Sequence, residues 1–156
     1  MNALELLKAD HEKVQQLFKK AEDANPERQR QLFEEIKQEL ETHTHIEETV
    51  FYPAVKEADE LKDMVLESLE EHKQVKTLLR EMENLTSDSE KFEPKLKVLM
   101  ENVEHHVQEE EDDMFPMVED QIPEETLQRL GSLMQGEKEK VKKQMPARSR
   151  AASTTR

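Results

Sequence analysis

Residues 43–53 read HTHIEETVFYP, and residues 106–116 read HVQEEEDDMFP. Each line sets down a His, a Glu four residues later, a second acid, bulky apolar residues and then a Pro. In an α-helix, residues four apart lie on one face, a turn apart. His43 with Glu47, and His106 with Glu110, therefore point the same way from their helices. The apolar neighbours decide which way that is. Leu32, Ile36, Leu40 and Val50 continue the line of the first pair at helical steps, and Leu96, Leu99, Val103, Met114 and Met117 that of the second. Both pairs fall on an apolar seam, so imidazoles and carboxylates face a core.

The rest of the chain repeats this pattern. His11 lies between Leu7 and Val14 or Phe18, and His72 between Leu69 and Val75, each on the seam of its own helix. At the usual rise, His11 stands roughly 20 Å before the end of its helix, and His43 roughly 26 Å after the start of the next. Across an antiparallel hairpin the two lie within about a turn of each other, and His72 and His106 obey the same arithmetic. The chain thus reads as two copies of one unit: a helix with an inward His, a turn, and a helix with inward His-x-x-x-Glu followed by Pro.

A lone His on an apolar face is more often a hydrogen-bonded core residue than a ligand. Four of them beside two inward Glu are a different matter. A buried carboxylate is costly unless it is paired or bound to a cation, and no Lys or Arg occupies an obvious seam position. Bound metal would satisfy the whole set. His11, His43, Glu47, His72, His106 and Glu110 are too many ligands for one tetrahedral zinc. They suit two metal ions, each with two His, with the two Glu shared as bridges and an oxo or hydroxo group completing the charge. Nitrogen and oxygen ligands without sulfur favour two iron ions, Fe2+ or Fe3+, over manganese or zinc. Fewer than six protein ligands per ion leaves room for a small exogenous ligand.

The second line offers another register, His105 with Glu109. The distance to the Pro and the seam neighbours Leu99 and Val103 select His106 and Glu110 instead. His105 is expected at the boundary or behind the ligands, and His45 at the surface. For Tyr52, the only Tyr in the chain, a hydrogen bond near the site and a packing role both stay open.

Composition points to helices throughout. Of 156 residues, 38% are charged, 34% are hydrophobic and only two are Gly, with few Val-Ile-Thr runs to support sheets. Helices are expected over about 2–24, 26–52, 60–84 and 89–118, with a shorter fifth begun by Pro123. Asn25-Pro26 supplies a cap and first turn, and Ser or Asp of residues 84–90 caps the fourth helix. The expected architecture is all-α: an up-down-up-down four-helix bundle over 1–120, a short C-terminal accessory helix over 121–137, and a basic tail over 138–156 that starts as frayed helix and is otherwise disordered. The formal net charge of −14 argues against nucleic acid as the main partner. The tail from 137 onward carries +5 and offers a contact to a protein partner. The absence of Cys fits a reducing compartment, no stretch is long and apolar enough for a membrane, and the first residues lack a signal-peptide core, so the expected location is cytoplasmic.

The motifs ADHE around His11, HTHIEETVFYP, EEHK around His72 and HHVQEEEDDMFP together resemble the hemerythrin-like, or HHE cation-binding, family. The resemblance spans roughly residues 1–120. It implies a four-helix bundle around a non-haem di-iron centre, with the six residues named above as metal ligands. The oxygen-carrying hemerythrins have a further His one turn beyond the third-helix His, where this chain has Lys76, and an Asp where it has Glu111. The four-His, two-Glu set is more similar to bacterial and iron-sensing or iron-centre-repair members, which are associated with iron, O2, peroxide or nitric oxide. The implied roles are small-ligand binding in oxidative or nitrosative stress or in iron and oxygen handling, catalase-like turnover of peroxide, or, without catalysis, an iron or oxygen sensor.

Overall fold

The computed structural model describes residues 1–144. Among them the chain is helical with no strand. Helix α1 spans Ala3–Glu22, α2 Pro26–Ile46, α3 Tyr52–Val55, α4 Asp59–Glu83, α5 Phe92–Glu109, α6 Phe115–Gln121 and α7 Glu124–Gln144. Two five-residue π-helical segments, π1 (Glu47–Phe51) and π2 (Glu110–Met114), join α2 to α3 and α5 to α6 without a break.

Local chemistry sets the ends. Asn2 and Glu5 form a reciprocal capping box that starts α1. Asn25 accepts the Arg28 N–H and Pro26 opens α2. The start of α5 differs from expectation: it begins at Phe92 rather than 89, and no side chain caps it. Ser89 instead accepts the Lys91 N–H on its hydroxyl and the Phe92 N–H on its carbonyl, holding a turn before the helix. Pro94 then falls among the first four helical residues, whose N–H groups have no intrahelical partner anyway.

Paired contacts give the helix directions. Gln29 reaches Ala21, Lys13 reaches Glu39 and Asp10 reaches His43, so α1 and α2 run antiparallel. Lys95 with Glu81 and His106 with Glu71 show the same for α4 and α5. Arg30 ties α2 to the end of α4, donating to the carbonyls of Met82, Leu85 and Glu83 while lying over Phe33 and Phe92.

The core is in two parts. One apolar cluster holds Leu4, Leu7, Phe51, Val65, Phe115 and Met134; the other holds Phe18, Phe33, Ile36, Leu79, Phe92 and Leu99. On α1, α2 and α4 the His lies between the stretch given to one cluster and the stretch given to the other; on α5 His106 stands near the end of one cluster's stretch, and the other cluster resumes at Met114 in π2. A single polar layer is therefore enclosed by hydrocarbon on both sides.

Helix α7 is longer than expected. It continues through Lys138–Gln144, residues expected to lie in the tail, and it buries Leu127, Leu130 and Met134 against α1 and π1. The remainder of the expected tail, 145–156, lies outside the described residues. None of the helices described is long and apolar enough to cross a membrane.

Candidate metal centre

The helical spacing that carries His11, His43, His72 and His106 inward brings them together with Glu47 and Glu110 in the layer between the two clusters. All six are buried, from 0% exposed for Glu47 to 7% for His106. His11 and His43 face each other with ring centroids 4.9 Å apart, and so do His72 and His106. Within this buried layer two groups of donor atoms could each hold a metal ion: His11, His43, Glu47 and Glu110, and then Glu47, His72 and His106. Glu47 is common to both.

The inward-facing atoms are short of partners. Nε2 of His11, His43 and His106, both oxygens of Glu47 and Oε1 of Glu110 are buried without a hydrogen bond. His72 Nε2 and His43 Nε2 stand 3.0 and 3.3 Å from Glu47 Oε1, close but without hydrogen-bond geometry. Buried polar groups are ordinarily satisfied, so a cluster of orphaned donors and acceptors marks something missing from the protein atoms alone. Nitrogen and oxygen donors converging in a buried layer fit a metal ion.

Behind the layer, each imidazole is held by a carboxylate. Nδ1 of His11 donates to Glu111 at 2.6 Å, of His43 to Asp10 at 3.0 Å, of His72 to Glu48 at 2.7 Å and of His106 to Glu71 at 2.7 Å. An ionised carboxylate only accepts, so it fixes the proton on Nδ1 and turns Nε2 toward the centre. Two of these carboxylates meet a Lys: Glu48 binds Lys76 at 2.9 and 3.0 Å, and Asp10 binds Lys138. Lys76 and Glu111, where the chain departs from the oxygen carriers, thus both stand behind an imidazole.

Electrostatics follow from this packing. Burial alone would lower the His43 pKa, but the charge of Glu47 and the bond to Asp10 raise it to about 10. Burial likewise opposes the charge of His106, yet Glu110 raises it well above the usual value. Burial would raise the Glu47 carboxyl; the charge of His43 brings it well below the usual range instead. Without metal, the raised pKa values of His43, His72 and His106 favour protons on these imidazoles beside the buried carboxylates.

The π-helical segments are the feature that sequence reading missed. In π1 the Tyr52 N–H reaches back five residues to the Glu47 carbonyl, and in π2 the Phe115 N–H reaches Glu110. Pro follows in each case. It has no N–H to give, so the change of hydrogen-bond register falls where the α-helical ladder is already broken. The extra residue advances the buried face. Val50 and Met117, expected inward, are only partly buried, while Phe51 and Val118 are enclosed. Two Pro residues at matching offsets from His-x-x-x-Glu were the available signal.

The same shift places an aromatic residue from each half against a His of the other. Phe115 stacks on His11 with centroids 6.1 Å apart, and Tyr52 lies 5.4 Å from His72. Only one of this pair has a hydroxyl. The Tyr52 hydroxyl donates to Glu110 Oε2 and stands 3.4 Å from His72 Nε2. Burial, then the charges of Glu110 and Glu47, raise its pKa well above the ordinary value, so it keeps its proton. The two Glu are consequently not the equivalent pair that the sequence suggested. Glu47 has both oxygens free, while Glu110 shares one with Tyr52.

His105 turns to solvent, 66% exposed, and meets Glu109 at 2.7 Å. Expected to be free at the surface, His45 is instead half-buried against Glu137 of α7, 3.0 Å away.

The chain is similar to several known proteins in sequence and fold. A solved structure from Mycobacterium kansasii, titled as a hemerythrin HHE cation binding domain-containing protein, superposes with a TM-score of 0.79 at 30% identity, covering 90% of this chain and 87% of the other. An uncharacterized protein of Mycobacterium tuberculosis is 31% identical over 118 residues, 74% of this chain and 71% of its own length. An uncharacterized hemerythrin-like protein of Schizosaccharomyces pombe is 29% identical over 143 residues, 90% of this chain and 68% of that one. A DNA nickase of Nostoc sp. is 25% identical over 153 residues, 97% of this chain, but the chain spans only 43% of that protein's length. The family profile described as Hemerythrin HHE cation binding domain matches residues 2–118, from the cap of α1 into α6. With both His-x-x-x-Glu helices and all four inward His inside that match, the chain belongs to the hemerythrin HHE cation-binding domain family.

Proposed function

We propose that the chain is a non-haem di-iron protein that takes O2, peroxide or nitric oxide at an open coordination position, in oxidative or nitrosative stress or in iron and oxygen handling. The observation that carries this reading is the set of orphaned, fully buried nitrogen and oxygen atoms on His11, His43, His106, Glu47 and Glu110. The reading takes α1, α2, α4 and α5 as an up-down-up-down bundle with α7 laid alongside.

His11, His43, Glu47 and Glu110 would hold one ion, and His72, His106 and Glu47 the other. Iron supplies one-electron chemistry and affinity for small oxygen- and nitrogen-containing ligands. The protein's own residues do the rest. The carboxylates behind the imidazoles hold Nδ1 protonated and keep each Nε2 lone pair aimed inward. The two apolar clusters exclude water, which strengthens every charge interaction between them. The His72–His106 side has fewer protein donors, and the Tyr52 hydroxyl holds a proton there at Oη. A ligand with a proton-accepting atom is received on that side. Of the two roles the sequence left open for Tyr52, the hydrogen bond near the site is the one this reading uses.

The test is anaerobic loading with ferrous iron followed by separate exposure to O2, peroxide and nitric oxide. A distinct visible absorption change with at least one of them is expected, absent from a His43→Ala variant. A loaded protein whose spectrum ignores all three contradicts the small-ligand reading.

A further inference from the structure

Helix α7 lies outside the residues that match the family profile, yet it reaches the candidate centre. Lys138 contacts Asp10 Oδ1, whose other oxygen accepts the His43 Nδ1–H at 3.0 Å. Asp10 is itself buried, 5% exposed, and its charge is answered by these two partners. The neighbouring Glu137 holds His45, on the far side of the same helical turn from His43. Consecutive residues of α7 thus clasp α1 and α2 on either side of an inward His.

The clasp is part of a wider seat. Leu127, Leu130 and Met134 enter the apolar cluster that closes one side of the polar layer. Asn2 donates to Glu124 at 3.1 Å. At Gly131 the first residues pass so close that an added Cβ would overlap the Met1 carbonyl oxygen and crowd Asn2 and Ala3. Helix α7 sits in one position, and in that position Lys138 meets Asp10.

From this geometry we propose that Lys138 and Asp10 are positioning residues for His43, and that α7 is a working part of the centre: its docking sets the electron demand of that imidazole, and metal loading in turn holds α7 in place. The inference rests on the di-iron reading above. A carboxylate behind a ligating imidazole raises the ligand's basicity. A Lys on the carboxylate draws charge away from that bond and adds a positive charge close to the metal, favouring the reduced ion. Removing it leaves Asp10 to pull harder on Nδ1–H and favours the oxidised ion. The dependence is mutual, because whatever docking of α7 does to metal binding, metal binding does to docking.

The test uses the full chain, loaded anaerobically with ferrous iron. In Lys138→Gln the midpoint potential is expected to fall by about 59 mV, a tenfold change in the one-electron ratio of reduced to oxidised iron. Lys138→Arg restores it, and Lys142→Gln, an equal charge change at an exposed position of α7, leaves it unmoved. Gly131→Ala, which displaces α7 without altering charge, shifts the potential in the same direction as Lys138→Gln. In the wild type, amide exchange along α7 slows on iron loading, and Lys138→Gln abolishes that slowing. Equal potentials and equal exchange in the wild type and Lys138→Gln, both carrying iron, overturn the inference and leave the di-iron reading standing. A folded wild type that takes up no iron overturns the di-iron reading and this inference with it.

Discussion

His43 is touched from three directions: Glu47 at 3.3 Å, Asp10 at 3.0 Å and the ring of His11. In the metal-free chain this gives a definite pH dependence. The folded pKa of about 10 lies above the ordinary 6.5, so protonated His43 stabilises the fold fully below pH 6.5, and that contribution is lost as pH rises toward 10. His72 and His106 shift the same way. Glu48 works in the opposite sense: hydrogen bonding from His72, against burial and aided by Lys76, brings it from 4.5 to about 2, so its contribution is present above 4.5 and lost below. Chelator-treated protein should melt at a lower temperature at about pH 9.5 than at about pH 5.5. Iron replaces those protons, so the loaded protein should lose much of this dependence. An equal or higher melting temperature for the metal-free chain at the alkaline pH would contradict the account. At this scale much of the site was legible. Helical spacing alone put the six side chains on inward faces, because the 3.6-residue period relates neighbours within one helix. Lys138 and Asp10 are 128 residues apart, and no local period relates them. The role of Tyr52 stayed open between a hydrogen bond and packing for a local reason, since its direction depends on the π turn before it.

At the scale of the element, each His-x-x-x-Glu helix carries one added residue immediately after its inward pair. That insertion rotates the later residues by about 100° relative to an uninterrupted α-helix. Phe51, Tyr52 and Phe115 reach the core because of it. Deleting Val50 should let α2 run on as a regular helix and swing Tyr52 away from Glu110 and His72. We expect the variant to melt lower than the wild type and to retain less iron after loading and desalting. A Val50-deletion variant with wild-type melting and iron content would show that the π turn is dispensable. Periodicity located α1, α2, α4 and α5 because each has a long apolar seam. Beyond Glu47 and Glu110 it placed Met114 inward correctly but not Val50 and Met117, because a one-residue insertion changes the phase without changing the composition. The start of α5 shifted for a different reason: Ser89 commits its hydroxyl and carbonyl to a turn rather than to a helix cap.

Across the whole molecule, two apolar clusters enclose one layer of charge, and the layer is made by two copies of the same helical pair. The copies are matched in their His and Glu and unmatched in their aromatics, Tyr52 against Phe115, which makes the enclosed site asymmetric. The repeat could be read from the sequence because both copies keep the same offsets. The extent of α7 could not, because the basic composition after Lys138 resembles a solvated tail until Asp10 is seen opposite it. The central claim is that the enclosed layer is a two-metal centre built by His11, His43, Glu47, His72, His106 and Glu110. The most direct measurement is the iron content per chain after anaerobic ferrous titration and removal of unbound metal. The account predicts two iron ions per wild-type chain and a marked loss in Glu47→Gln, whose carboxylate belongs to both donor groups. A wild-type chain that stays folded and retains less than one iron would contradict it.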